Sequence, residues 1–360
     1  MKIYCAYLPQ FHRTEKNDFF WGRGFTDWTS TKKAKRLFKG HKQPLKPGIL
    51  GEYNLLNKKI LKIHSKMMND AGIDAFGVYY YHFKKKLFAL NEPLKIIKKN
   101  NDINFKFFLY WVNSDWTKSW IGKDKVIIYK QDDSLRHAIK VVENAISYFK
   151  DDRYEKIDNR PIFIIHEPYK FNLKKFKLKT NKLLKKKKLR QLYLVGNLNY
   201  IKNKSDIKLF DEVINWPPDS LFLGKFKNFL RILLPEFILK FEVIFKYCSI
   251  KDYKEYLTKL THRILILSKT YKNFSPSLIT NWDNTPRYFL RGILLKNVNP
   301  DYFYKKVLSI IPELKKNNTT FIFIKAWNEW AEGNVIEHSQ KYKYKFIKVI
   351  KKLKKKINEL

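Results

Sequence analysis

The sequence FIFIKAWNEWAEG (residues 321–333) joins an apolar run to a cluster of Trp, Asn and Glu near the C-terminal end of the chain. Residues 321–326 form a short segment that is rich in Phe and Ile and is followed by polar side chains, a pattern that predicts a β-strand. Residues 327–333 then form the loop that follows this strand. In a parallel β/α fold such loops carry the functional side chains, so this segment points to both fold and site.

Seven further stretches have the same character and alternate with longer amphipathic segments. The predicted strands are Ile3–Leu8, Ala75–Tyr80, Phe105–Trp111, Ile162–His166, Leu192–Gly196, Glu212–Asn215, Leu278–Trp282 and Phe321–Ala326. The predicted helices are Leu55–Ala71, Leu87–Asn100, Ser134–Tyr148, Leu173–Leu189, Asp252–Lys269, Asp301–Lys315 and Tyr344–Leu360. This alternation predicts a (β/α)8 TIM-type barrel. An open doubly wound sheet is less favoured, because no glycine-rich phosphate loop follows the first strand.

Residues 1–360 are therefore predicted to form a single barrel domain that catalyses a reaction. Two regions depart from the alternation of strands and helices. Residues 9–51 make a long first connection, with six aromatic residues between Phe11 and Trp28. Residues 221–247 alternate apolar groups with Lys and Arg, and they predict two short amphipathic helices in an insertion at about 218–250. This insertion either packs on the barrel or rests on anionic lipid.

The formal net charge of +41 comes mostly from Lys residues scattered over the whole chain. Two interpretations stay open: solvated helix faces, or attraction to an anionic membrane or a lipid-phosphate substrate. A specific nucleic-acid partner is not predicted, because such proteins concentrate their basic residues near base-reading side chains.

Cys5 and Cys248 lie far apart and lack the spacing of metal ligands, so neither a disulfide framework nor a metal site is expected. No cofactor is predicted. The sequence begins with an apparent strand without a signal-peptide core, and no eighteen apolar residues run together. We therefore expect a cytoplasmic protein. If the lipid hypothesis holds, it lies peripherally at the inner face of the cytoplasmic membrane.

The residues that follow the predicted strands mix indoles, phenols, amides, imidazoles and carboxylates on one rim. Trp and Tyr faces pack on the C–H face of a sugar, while Asn, Asp and His side chains bond to its hydroxyls. The sequence therefore predicts a carbohydrate substrate. The candidate substrate-binding residues are Gln10, His12, Trp28, Tyr80, His82, Asn113, Asp115, Trp116, Trp282, Asp283, Trp327, Asn328 and Trp330.

Glu329 and Glu332 are the candidate catalytic residues. Glycosyl transfer needs one protonated and one ionised carboxyl group. Two Glu residues three apart face opposite ways on a straight strand, so they converge only if the chain turns, and Gly333 permits a turn. Trp330 between them is predicted to shield one Glu from water and raise its pKa.

Six motifs spread from the first strand to the last share a family pattern. They are YLPQFH (7–12), GRGFTDW (22–28), YYYH (79–82), WVNSDW (111–116), NWDNTPR (281–287) and AWNEWAEG (326–333). Together they resemble the WbsX family of bacterial polysaccharide-biosynthesis proteins. That family is similar in turn to glycoside hydrolase family 99, the endo-α-mannosidases and endo-α-mannanases. The resemblance implies a (β/α)8 barrel and a retaining mechanism.

The resemblance also implies a role for each glutamate. In the hydrolase family the first Glu of the closing motif acts as a base on the substrate 2-hydroxyl, so that a 1,2-anhydro sugar forms without an enzyme nucleophile. The second Glu serves as general acid and then as base. Carried onto this chain, Glu329 would assist the 2-hydroxyl and Glu332 would protonate the leaving group. The hydrolases have His where this chain has Ala331.

Three functions stay open at this stage. The leading one is a retaining enzyme that cleaves or transfers glycosyl units of an O-antigen or capsule polysaccharide, or of its lipid-linked precursor. The second is a nucleotide-sugar-dependent glycosyltransferase, the name commonly given to WbsX-type proteins, although no D-x-D motif or phosphate loop is evident. The third is a non-catalytic carbohydrate-binding protein of a polysaccharide assembly complex, which has no need for an acid–base pair.

Overall fold

The computed structural model describes residues 1–84, 87–118, 123–218 and 249–360, and the predicted insertion at residues 221–247 lies outside them. The strands are β1 (Lys2–Tyr7), β2 (Ala75–Phe83), β3 (Leu87–Ala89), β4 (Phe107–Trp111), β5 (Trp116–Lys118), β6 (Lys123–Tyr129), β7 (Lys156–Ile157), β8 (Arg160–Ile165), β9 (Tyr193–Asn197), β10 (Glu212–Ile214), β11 (Ser249–Asp252), β12 (Phe274–Ser275), β13 (Ser277–Ile279), β14 (Ile293–Lys296), β15 (Phe321–Lys325), β16 (Asn328–Glu329) and β17 (Asn334–Val335). The α-helices are α1 (Glu15–Trp21), α2 (Asp27–Lys32), α3 (Lys58–Asp70), α4 (Glu92–Lys99), α5 (Leu135–Phe149), α6 (Leu173–Lys186), α7 (Tyr253–Thr270), α8 (Thr285–Tyr288), α9 (Pro300–Lys316) and α10 (Lys345–Glu359).

Nine parallel strands form a nearly closed barrel surrounded by helices, which confirms the predicted fold class. Their spatial order is β1, β2, β4, β8, β9, β10 and β12 in one direction from β1, and β15 and β13 in the other. Only Pro276 separates β12 from β13, so these two strands are halves of one barrel position. Nine strands therefore occupy the eight positions of the (β/α)8 pattern.

The seventh position also corrects a predicted boundary. The sequence predicts a strand over Leu278–Trp282, whereas the observed one begins at Phe274 and ends at Ile279. Pro276 has no N–H and cannot donate to a ladder, which divides the strand. Its carbonyl still accepts a hydrogen bond from Phe323 N at 2.8 Å.

Capping side chains set the starts of five barrel helices. Asn57, Ser134, Asn172, Asp252 and Asn299 each accept a hydrogen bond from a backbone N–H two or three residues later. These bonds satisfy donors that the first helical turn leaves unpaired. The apolar stripe of each helix then packs on the barrel, whose own strands are buried on both faces, as parallel sheets require.

Two local predictions need correction. The segment Leu87–Asn100 is predicted to be one helix, but β3 pairs antiparallel with the end of β2 and α4 begins only at Glu92. Leu90 has a positive φ of 58°, and Pro93 lies in the first helical turn, where proline is favoured. The long first connection is not plain loop either, because it contains α1 and α2.

Candidate active site

The loop after β15 folds into a short hairpin that sets the two glutamates side by side. β16 pairs antiparallel with β17, and a single 3-10 turn spans Trp330–Glu332. Gly333 ends this turn at a φ of 62°, a left-handed conformation that favours glycine. A Cβ atom there would also come within 3.2 Å of the backbone N of Asp283. The turn expected around Gly333 is confirmed.

Glu329 and Glu332 form a buried carboxyl pair. Glu329 is 4% exposed, and the hydroxyl of Tyr79 donates a hydrogen bond of 2.6 Å to its Oε1 atom. Glu332 lies beside it, since Arg287 Nη1 is 2.7 Å from Glu332 Oε1 and 3.8 Å from Glu329 Oε2, and a hydrogen bond between the two carboxyl groups contributes to both of their pKa shifts. Two carboxyl groups can share a hydrogen bond only if one of them carries a proton. The pair can therefore offer one acid and one base at the same place.

Two buried cations contact Glu332. Arg287 on α8 places Nη1 2.7 Å from Glu332 Oε1, and Lys325 at the end of β15 places Nζ 3.3 Å from Oε2. Arg287 also reaches Asp27 on α2, with Nη2 2.9 Å from Oδ1. The distance from Arg287 Nη1 to Glu329 Oε2 is longer, at 3.8 Å. The first, seventh and eighth loops of the barrel thus meet in one ion cluster.

This cluster distinguishes the two glutamates electrostatically. Burial, followed by the charge of Glu332, raises the pKa of Glu329 well above its usual range. Burial alone would also raise the pKa of Glu332, but Lys325 and Arg287 outweigh it and lower that pKa. Glu332 is consequently the ionised member at neutral pH and Glu329 carries the proton.

Trp330, the predicted shield, is itself almost fully buried. Its indole packs on Trp28, with ring centroids 5.5 Å apart, and its Nε1 donates to Glu337. The raised pKa of Glu329 comes first from burial and then from its carboxylate neighbour. The share of that burial that Trp330 provides stays a prediction.

A cavity of about 260 Å³ opens beside the carboxyl pair. Three of the predicted substrate-binding residues line it: Gln10, Asp115 and Trp116. Burial would raise the pKa of Asp115, but hydrogen bonds from Lys130 Nζ at 2.8 Å and from Gln131 N at 2.7 Å lower it. Asp115 is thus an ionised acceptor at the mouth of the cavity.

Other side chains that line the cavity are not among the candidate substrate-binding residues predicted from the sequence. They are polar or aromatic groups at the ends of the strands and in the first and seventh loops: Asn17, Trp21, Tyr79, Tyr81, Tyr110, His166, Trp216 and Arg287. Tyr110 OH lies 2.9 Å from His166 Nδ1. Burial, together with Lys325 and Lys170, lowers the pKa of His166 to about 3, so its imidazole is neutral. The wall is therefore rich in neutral hydrogen-bonding groups.

Strand alternation explains why Tyr80 and His82 do not reach the cavity. Successive side chains of β2 point to opposite faces. Tyr79 and Tyr81 face inward, whereas Tyr80 packs near Tyr148 of α5 and His82 accepts or donates a 2.8 Å hydrogen bond with Asn144 of the same helix. Burial lowers the pKa of His82 to about 4. The two residues predicted from this strand are therefore the ones that face the helices.

Several other candidates hold the loops in place. The Asn328 side chain accepts from Leu8 N at 2.8 Å and donates to Leu8 O at 3.0 Å, which joins the first loop to the eighth. Asn113 bridges to the backbone of Glu167 through two hydrogen bonds. The other side chains in this group are buried and do not line the cavity: His12, Trp28, Trp327 and Trp330. The three indoles among them pack on other aromatic rings.

Asp283 lies in a separate cavity of about 150 Å³ and has no free acceptor capacity. Its carboxylate accepts four hydrogen bonds, from His41 Nε2, Gln43 Nε2, Thr285 N and Thr285 Oγ1. Two lone pairs on each oxygen are thereby used. Asp283 therefore anchors the first loop to the seventh. Its neighbour Trp282 is nearer the pair, since Lys325 Nζ lies 4.4 Å from the ring centroid.

A barrel that carries a buried carboxyl pair in an aromatic cavity is typical of carbohydrate-active enzymes. The chain belongs to the Glycosyltransferase WbsX family, whose sequence profile matches residues 3–350. Among its relatives is the uncharacterized protein WxcX of Xanthomonas campestris pv. campestris. The two are 24% identical over 349 residues, which cover 96% of this chain and 48% of WxcX. The chain thus spans about half the length of the curated relatives it matches.

Solved structures share the fold. The glycoside hydrolase family 99 endo-α-mannosidase of Bacteroides thetaiotaomicron has a TM-score of 0.57 and 12% identity, covering 99% of this chain and 98% of that one. A glycoside hydrolase-like protein has a TM-score of 0.55 and 12% identity, with 98% and 93% covered. At this identity the likeness establishes the barrel architecture alone.

Two further findings concern the described residues. No group of three or more His, Cys, Asp or Glu side chains among them could hold a metal ion. None of the helices within the described ranges has the length and apolar character needed to cross a bilayer.

Proposed function

We propose that this chain is a retaining enzyme that cleaves or transfers glycosyl units, with Glu329 and Glu332 as its acid–base pair. The observation that carries the proposal is a pair of buried glutamates that line one cavity, with Arg287 and Lys325 in contact with Glu332 and the two pKa values driven in opposite directions. Neighbouring carboxyl groups whose pKa values are driven apart are a common sign of acid–base chemistry. Buried structural acids normally have no such partner.

The cavity wall supports a sugar as the substrate. Trp116 and Trp216 offer aromatic faces, on which a pyranose can pack through its C–H groups. Gln10, Tyr81 and Asp115 add hydrogen-bonding groups around the same space. A mixed lining of this kind fixes the orientation of a polyhydroxylated ligand better than a purely apolar pocket does.

The family resemblance assigns the base to Glu329 and the acid to Glu332, whereas the resting site has the opposite protonation. Transfer of one proton across the hydrogen bond between them converts the resting arrangement into the reactive one. Glu329 would then deprotonate the 2-hydroxyl as it attacks the anomeric carbon. Glu332 would protonate the departing oxygen, and as carboxylate it would later activate the acceptor.

The biological substrate we propose is a bacterial surface polysaccharide, an O-antigen or capsule, or its lipid-linked precursor. Membership of the WbsX family supports this choice. The acceptor is water or a second glycan. We further propose a cytoplasmic location with peripheral contact at the inner face of the membrane, in line with the +41 charge.

The direct test is incubation of the purified protein with the host's polysaccharide or lipid-linked oligosaccharide, with and without Glu332→Gln. We expect product from the wild type, none from the variant, and unchanged sugar binding by calorimetry. Glu359→Gln on the exposed end of α10 is a matched control that keeps full activity. Equal product from all three proteins would refute the proposal.

The family description supports a second candidate, a nucleotide-sugar-dependent glycosyltransferase. That reaction needs a nucleotide diphosphate to bind. Calorimetry with nucleotide diphosphates separates the two: saturable binding, together with product only when a nucleotide sugar is present, favours the transferase. Product without any nucleotide favours the retaining enzyme.

A further inference from the structure

Lys325 is a buried cation at a position where the barrel otherwise places apolar side chains. On β15, the side chain of Lys325 points to the same inward face as those of Phe321 and Phe323, and it is 8% exposed. Lys is almost never buried to this extent unless it is paired. In a sequence with 74 Lys and Arg residues, nothing about the composition distinguishes this one.

The ammonium group of Lys325 is held from two sides. Its Nζ lies 3.3 Å from Glu332 Oε2, and it also lies 4.4 Å from the Trp282 ring centroid and 5.2 Å from that of Trp216. Both aromatic faces favour a cation at such distances. Because Trp216 lines the cavity, Lys325 lies at the boundary between the carboxyl pair and the space that a ligand would fill.

Among the described residues, the charged and titratable groups around Lys325 include members from several elements of the barrel. Glu329 and Glu332 belong to its own loop, Arg287 to α8 and Asp27 to α2. His166 at the end of β8 is neutral, because burial and Lys325 lower its pKa to about 3. Tyr79 and Tyr81 of β2 keep their protons, since burial raises the pKa of each far above neutrality.

Among the described residues, Arg287 contacts Asp27 and Glu332, and Lys325 contacts Glu332. Glu329 is the less closely paired of the two glutamates, since Arg287 Nη1 lies 3.8 Å from its Oε2 atom but 2.7 Å from Glu332 Oε1. Of these two described cations, removal of the Lys325 charge would leave Arg287 to serve both Asp27 and the glutamate pair. The preference for an ionised Glu332 would then weaken.

We propose that Lys325 is a positioning residue that determines which of the two glutamates carries their shared proton. While Nζ contacts Glu332, the proton stays on Glu329. When that contact loosens, the proton passes from Glu329 to an oxygen of Glu332 along their hydrogen bond. The proton moves between the two glutamates only, so the total charge of the pair does not change. Under the proposed function, on which this inference rests, Glu332 can act as general acid only after this step.

Carboxyl titration by NMR tests the inference without any substrate. In protein labelled with ¹³C at the Glu side-chain carboxyl, Glu329→Gln and Glu332→Gln identify the two signals. In the wild type we expect the Glu332 signal to remain that of a carboxylate from about pH 5 to 9. Lys325→Met should raise the apparent pKa of Glu332 by about one unit or more, while Lys325→Arg should leave it in place.

An unchanged Glu332 titration in Lys325→Met would overturn the inference, as would an equal shift in Lys325→Arg. Lys325→Gln provides a second neutral side chain, so that a repacking effect particular to Met can be recognised. If Lys325→Met does not fold, comparison of Lys325→Gln with Lys325→Arg still shows whether the pKa of Glu332 shifts when the charge is removed.

The pH dependence of turnover separates this inference from the proposed function. If Lys325 acts through Glu332, Lys325→Met moves the pH–rate profile toward higher pH, whereas a purely structural role lowers the rate without moving the profile. A protein that shows the expected titration but turns over no glycan supports the role of Lys325 and refutes the proposed function. Turnover with an unshifted titration supports the proposed function and refutes the role of Lys325.

Discussion

Two sets of buried carboxyl groups lie at the same end of this barrel, and they are held in different ways. Asp283 and Glu337 are surrounded by donors from the protein: four hydrogen bonds reach Asp283, while Tyr53 OH at 2.7 Å and Trp330 Nε1 reach Glu337. His64 Nε2 lies 3.0 Å from the other oxygen of Glu337. These acids join loops and do not line the cavity beside the glutamate pair.

The pair Glu329 and Glu332 is instead surrounded by two cations, and the two glutamates also interact with each other. Arg287 and Lys325 contact the carboxylate of Glu332, the pKa values of the two glutamates are driven in opposite directions, and both side chains line the cavity. Asp283, whose acceptor positions are all used by the protein, stabilises the fold, because nothing is left for a ligand. Glu337 does not line the cavity and bonds to Tyr53 and Trp330. An acid that shares its proton and faces open space is available for chemistry. Four predictions test this distinction, from the largest effect to the smallest.

Glu329→Gln is expected to lower turnover by about 10²- to 10⁴-fold, the range in which a general acid or base contributes. The amide cannot give or take the shared proton, yet it is similar in shape to a neutral carboxyl group. Thermal unfolding should therefore change little. The initial rate on a glycan substrate is the measurement, and Glu359→Gln is the matched exposed control. A loss below tenfold would remove Glu329 from the acid–base pair.

Asp27→Ala should cost about 1.5–3 kcal/mol of unfolding free energy, because it removes one of the carboxylates that the buried Arg287 guanidinium contacts, while Glu332 remains in place. Urea denaturation followed by tryptophan fluorescence measures the change. Asp152→Ala, at an exposed position, is the control and should alter stability by less than about 0.5 kcal/mol. Equal stability of the two variants would show that the ion cluster does not hold the loops together.

Glu337→Gln is expected to lower the unfolding free energy by about 1–3 kcal/mol while turnover stays within a few-fold of the wild type. The amide oxygen of Gln can still accept from Tyr53 and Trp330, but an NH₂ group would replace the oxygen that lies 3.0 Å from His64 Nε2. Parallel denaturation and rate measurements would check both parts. A rate loss as large as that of Glu329→Gln would show that Glu337 takes part in turnover and does not serve the fold alone.

Tyr81→Phe and Tyr80→Phe test which face of β2 meets the sugar. Loss of the cavity-facing hydroxyl should weaken glycan binding by about 0.5–1.5 kcal/mol, the net value of a single hydrogen bond. Tyr80 faces α5, so its hydroxyl should not affect binding. Calorimetric titration with the same oligosaccharide compares them. If Tyr80→Phe weakened binding more than Tyr81→Phe, the assignment of Tyr81 to the cavity-facing side of β2 would be wrong.

The barrel could be predicted from the sequence because strands and helices differ in the period of their apolar residues. Phe321–Lys325 and its counterparts appear within a residue or three of the predicted positions. The Glu329 and Glu332 pair could be found for a local reason too, since Gly333, directly after the second Glu, permits the turn. The seventh strand was misplaced because Pro276 divides it, a local signal that the strand prediction overlooked.

The partners of the pair could not be predicted in the same way. Arg287 meets Asp27 across 260 residues of chain, and spacing along the sequence carries no information on that contact. Lys325 ends a run of apolar residues and resembles the many other lysines of the chain. Strand alternation could have identified Tyr79 and Tyr81 as candidates in place of Tyr80, but only once the inward face of β2 was known. Local patterns therefore indicated the fold and the acids, while the charges around them required tertiary structure.

The most direct test of the shared acid–base pair is a double-mutant cycle on turnover with Glu329→Gln, Glu332→Gln and the double variant. Residues that exchange one proton act as a unit, so we predict that the double variant is no slower than the slower single variant. Rate losses that multiply in the double variant would show two independent contributions. Such a result would contradict a shared acid–base pair.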